Sequence, residues 1–107
     1  MAEVKKFNLE EFKKTINTDK LVAVFFYSDF AAPCRAMKDV INSTAEMLNG
    51  HITFGMVNVN DLKDLFVIYD IKSVPTIVVF EEGKPVEKIE GYIPFTTLGN
   101  QLSKKIK

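Results

Sequence analysis

Seven consecutive apolar residues, Leu21 to Tyr27, form the longest hydrophobic run in the chain. A run this short and rich in strand formers predicts a central strand covered on both faces. Thr76-Ile77-Val78-Val79-Phe80 predicts a second such strand. Between them the period changes. Met37, Val40, Ile41, Thr44, Ala45 and Leu48 recur at spacings of three and four, which predicts a helix. Pro33 suits its first turn and Asn49-Gly50 its end. Ile52 to Val59 alternates as a strand does, and Leu62, Leu65, Phe66 and Tyr69 mark a short amphipathic helix.

The flanks complete the order. Val4 to Phe7 reads as an edge strand. Asn8 with Glu11 three residues on reads as a capping box opening a helix from Leu9 to Thr18, with Leu9, Phe12 and Ile16 on one face. Glu82-Gly83-Lys84 supplies a turn into a return strand, Val86 to Ile89, and so a hairpin. Pro94 with Leu98, Leu102 and Ile106 forms a closing helix. The sum is βαβαβαββα, an α/β domain with a partly parallel central sheet and helices on both faces.

Composition narrows the function classes. At 107 residues the chain holds one domain, residues 1–107, and one core. Fourteen basic residues balance fourteen acidic ones, so no net field draws in nucleic acid or an anionic membrane. No apolar segment follows the charged start at Glu3, Lys5 and Lys6, so neither a secretory leader nor a membrane span is expected, and a reducing cytoplasm is. Cys34 is the only cysteine and His51 the only histidine. That excludes an internal disulfide and leaves no Cys/His metal set; no cofactor is expected, and His51, beside Gly50, reads as a surface residue.

The element order resembles the thioredoxin family, and local sequence agrees at separated places. The apolar strand running into Phe30-Ala31-Ala32-Pro33-Cys34 is similar to the family's strand followed by W-C-G-P-C. Ser73-Val74-Pro75-Thr76 is similar to its cis-proline loop, and Asn58-Val59-Asn60 stands where the family has N-x-D. Gly83 and Gly91 match the hairpin turn and the glycine beyond the last strand. The resemblance implies a thioredoxin fold and a protein of thiol–disulfide redox homeostasis.

The departures bear directly on chemistry. The resemblance implies that the first cysteine of C-x-x-C attacks a substrate disulfide and the second resolves the mixed disulfide. Here the attacking position is Ala31 and only the resolving position, Cys34, keeps its sulfur. With no other thiol in the chain, the two-thiol cycle cannot run within one molecule. The family's buried aspartate corresponds to Phe25, the lysine that pairs with it to Met56, and its tryptophan to Phe30. Losing both members of a buried charge pair together is physically coherent, because a lone buried charge is costly.

A helix N-terminus and neighbouring Arg35 favour a reactive thiolate at Cys34, whereas a place behind the attacking residue shuts the sulfur away from reagents. The second reading is preferred. The resemblance implies a cis bond at Pro75 presenting the backbone of Val74 to an extended peptide. It also implies one weakly apolar surface made by Phe30, Ala31, Ala32, Pro33, Val59, Val74, Gly91 and Tyr92. Asp29 and Asp61 read as solvated, with no assigned chemistry.

The favoured function is a monomeric binding module that takes a protein or peptide partner in the groove beside Pro75 and has lost dithiol exchange. The alternative is an active protein-disulfide reductase, served by a thioredoxin reductase, whose first active-site cysteine has been replaced by Ala31. A monothiol role for Cys34 is weaker, since relatives working with one thiol keep the first cysteine.

Overall fold

A computed structural model of the chain describes residues 4–106. The elements run β1 (Lys5–Lys6), α1 (Leu9–Thr18), β2 (Leu21–Tyr27), α2 (Ala32–Met47), β3 (Thr53–Asn58), α3 (Lys63–Ile68), β4 (Thr76–Glu81), β5 (Lys84–Glu90) and α4 (Phe95–Ser103). The order is the one read from the hydrophobic pattern. The strands form a mixed sheet, β1-β3-β2-β4-β5, with β3 parallel to both β1 and β2, and with β4 antiparallel to β2 and β5.

Strand β2 shows why a continuous apolar run is needed. Its side chains alternate across the sheet, and every residue is buried. Leu21, Ala23, Phe25 and Tyr27 enter one core layer with Met37, Ile41 and Ala45 of α2 and Leu98 and Leu102 of α4. Val22, Val24 and Phe26 enter the other with Phe12 and Ile16 of α1 and Leu65 and Phe66 of α3. Edge-on aromatic contacts, Phe12 with Phe80 at 5.6 Å and Phe26 with Phe66 at 5.2 Å, knit the second layer.

Several ends differ from the sequence reading. The first strand shrinks to Lys5–Lys6, β3 starts after Ile52 and stops before Val59, and α2 ends at Met47, ahead of Asn49-Gly50. Hydrogen bonding to a neighbour, not apolar alternation, sets a strand's length. Leu9 shares a helix face with Phe12 and Ile16 by spacing but, in the first turn of α1, is 42% exposed. Ile106 lies beyond α4 and is only partly buried. The capping box at Asn8 forms in full: the Glu11 N–H donates to Asn8 Oδ1 at 2.7 Å and the Asn8 N–H to Glu11 Oε1 at 3.0 Å.

Candidate functional site at the ends of the central strands

Register assembles the site. Phe26 of β2 lies opposite Thr76, the first residue of β4, and Thr76 lies opposite Glu90, the last of β5. Tyr27 pairs with Asn58, the last residue of β3, and the Val59 N–H donates to the Tyr27 carbonyl at 2.9 Å. The turn before α2, the segment after β3, the Ser73–Pro75 loop and Gly91-Tyr92 therefore meet at one end of the sheet. These four segments carry the residues singled out from the sequence.

Within this cluster the side chains differ in exposure. Phe30 stands 85% exposed, Tyr92 is also exposed, and Ala32 and Pro33 lie open on the first turn of α2. Ala31, Val59, Val74 and Gly91 are half-buried, whereas Pro75 is buried. Ala31, Val74 and Ile93 pack on the core layer that contains Cys34; Ile93 was not signalled by any motif. The Val74–Pro75 peptide bond is cis. The Pro75 carbonyl accepts from the Gly91 N–H at 2.8 Å, and Thr76 Oγ1 donates to the Ser73 carbonyl at 2.8 Å. Gly91 has φ +84, which a side chain tolerates poorly, so glycine suits this exit from β5.

Ala31 occupies the N-cap of α2. It offers no side-chain acceptor to the helix, and its carbonyl accepts from the Cys34 N–H at 3.0 Å. Cys34 faces inward and is 1% exposed, among Phe25, Tyr27 and Met37 in the same layer. Chemically, the corner offers an apolar surface, with its one thiol enclosed.

Asn58, known from the sequence only as a motif match, emerges as the polar anchor beside this corner. It is 3% exposed; its Nδ2 donates to Asp29 Oδ2 at 2.9 Å and its Oδ1 accepts from the Asn60 N–H at 2.8 Å. Asp29, exposed as the sequence reading has it, thus ties the Phe30 turn to the end of β3. Asp61 is also exposed and pairs with Lys6 at 3.0 Å, and that hydrogen bond holds the Lys6 ammonium above the ordinary lysine range. Lys38 lies 5.0 Å from the Tyr27 ring centre. His51 is exposed, and no helix among the described residues is long and apolar enough to cross a membrane.

Residues 3–104 match the family described as Thioredoxin. This chain belongs to the thioredoxin family. It is 32% identical over 94 residues to the thioredoxin of Porphyra purpurea, covering 88% of each chain. It is 34% identical over 92 residues to that of Alicyclobacillus acidocaldarius subsp. acidocaldarius, covering 86% of this chain and 88% of the other. Among solved structures it is similar to a mutant thioredoxin from Halobacterium salinarum NRC-1, with a TM-score of 0.90 at 23% identity over 98% of this chain and 92% of that one. It is also similar to oxidised thioredoxin from Plasmodium falciparum, with a TM-score of 0.87 at 23% identity over 98% and 100% of the chains. The fold is the thioredoxin fold. At the start of α2, this chain carries Ala31-Ala32-Pro33-Cys34.

Proposed function

We propose that this thioredoxin-family protein works in thiol–disulfide redox homeostasis as a binding module, in a reducing cytoplasm and as a monomer. It accepts a protein or peptide partner in the groove beside Pro75, over Phe30, Ala31, Ala32, Pro33, Val59, Val74, Gly91 and Tyr92, without running dithiol exchange. One observation carries this reading: the only thiol in the chain, Cys34, is 1% exposed, and residue 31 carries a methyl group. Exchange needs a thiolate that reaches a disulfide sulfur, forms a new S–S bond and expels the other sulfur as thiolate. A second thiol must then attack the mixed disulfide and release the reduced product. Ala31 cannot do the first and leaves Cys34 nothing to resolve.

An insulin-reduction assay tests the reading, first on the chain as it stands and then on Ala31→Cys. The expected result is no turnover for the first. The second stays slow even with a thioredoxin reductase, because Phe25 and Met56 provide no proton relay for a restored cysteine pair. Rapid turnover of Ala31→Cys would instead favour the alternative, an active protein-disulfide reductase whose first cysteine has been replaced.

A further inference from the structure

Helix α2 ends at Met47, close to where α4 packs through the fully buried Leu98 and Leu102. Between those leucines lies Gly99, itself buried. A Cβ at Gly99 would stand 2.7 Å from Met47 Cε and 3.9 Å from its Sδ. The Met47 methyl therefore fills the notch that Gly99 leaves on α4, while the residue as a whole is 49% exposed. The other sulfurs of the described residues are better shielded. Cys34 is 1% exposed and Met37 0%, and Met56 is half-buried against the core.

We propose that Met47 is a modification site for peroxides, the first sulfur among the described residues to be oxidised, and that its oxidation loosens the α2–α4 seam at Gly99. A thiol is the stronger nucleophile only as an accessible thiolate, and Cys34 offers a peroxide no approach. At Met47 a sulfur lone pair attacks one peroxide oxygen. The S–O bond forms as the O–O bond breaks, and sulfur gives up two electrons. The proton on the transferred oxygen passes to the departing hydroxide, which leaves as water. The sulfoxide is polar and chiral, and it no longer suits the apolar notch on α4. A methionine sulfoxide reductase returns it to the thioether. The oxidant-responsive atom of this redox-family chain is then a thioether away from Cys34.

Hydrogen peroxide on the folded full chain tests this, read by peptide mass mapping and by thiol titration after unfolding. Sulfoxide should accumulate at Met47 ahead of Met56 and about tenfold or more faster than at Met37, with the Cys34 thiol titrating in full. In urea the three methionines should react alike. The oxidised protein should melt a few degrees lower, a shift that Met47→Leu abolishes. Loss of the Cys34 thiol before Met47 sulfoxide forms, or Met37 or Met56 keeping pace with Met47, overturns the site. An unchanged melting point after complete Met47 oxidation overturns the loosening.

Discussion

Phe25 on β2 stands opposite Met56 on its parallel neighbour β3, and the Phe25 ring stacks on Tyr27 at 5.4 Å. The resemblance to C-x-x-C thioredoxins implies a buried carboxylate and a lysine at these two places. In this chain both are apolar, adjacent in register and packed in the same core layer, where a single charge would have no partner. Phe25→Asp alone should therefore destabilise the protein by about 3–5 kcal/mol, the cost of a lone buried charge. Adding Met56→Lys should recover part of that loss in urea unfolding. Full retention of stability by Phe25→Asp would contradict the packing described.

Cys34 should behave as a core residue. In the folded protein a small alkylating agent should label it at least about a hundredfold more slowly than in denaturant, because reaction waits on opening of the structure. Cys34→Ser should cost about 1–3 kcal/mol by burying a hydroxyl in an apolar layer. Rapid labelling of the native state would place the sulfur at the surface.

Asn58 holds two segments of the candidate site together through Asp29 and the Asn60 N–H. Asn58→Ala leaves the Asn60 N–H without its partner and frees the Phe30 turn, at an expected cost of about 0.5–1.5 kcal/mol for each hydrogen bond lost. Hydrogen exchange should accelerate at Asn60, whose N–H loses its partner, while the β2 amides remain protected. Unchanged exchange there would mean that the side chain bears no such load.

Gly55 is the one glycine inside a strand, and a Cβ on it would fall within the space of the Phe7 ring. Gly55→Ala must push Phe7 off β3, at about 1–3 kcal/mol for overpacking. Combining it with Phe7→Ala should bring little further loss beyond that of Phe7→Ala alone. Additive losses in thermal melts would argue against the contact.

Glu11 links stability to acid. Its carboxylate lies below the ordinary value of 4.5, first through the hydrogen bond from Lys5 and then through the Asn8 N–H. A folded pKa below the unfolded one adds stability that is present above about 4.5 and disappears as pH falls through the lower folded value. Glu11→Gln keeps an acceptor for the Asn8 N–H but should flatten that part of the acid limb. An identical pH–stability curve for Glu11→Gln would rule out a contribution.

Much of the candidate site could be read before any fold was known. Ala31 and Cys34 are identities, and the absence of a second thiol follows from counting alone. The Asn8–Glu11 box was equally legible, because its partners lie three residues apart on one turn. Asn58 and Asp29 were not, because they are 29 residues apart and meet only when β2 and β3 align. The exposure of Leu9 was not legible either, because spacing defines a helix face but not whether a neighbour covers its first turn.

Chain order and local periodicity were enough to set the nine elements and to deny this molecule an internal cystine, since both depend on neighbours a few bonds apart or on composition. The meeting of Phe30, Val59, Val74 and Tyr92 at one end of the sheet and the enclosure of Cys34 depend on tertiary structure, reached from the sequence only through the family resemblance, and folding alone decided that Met47 rests on Gly99. Those outcomes depend on strand register and helix packing between distant segments, where burial and hydrogen bonding are collective and no short stretch of sequence records them.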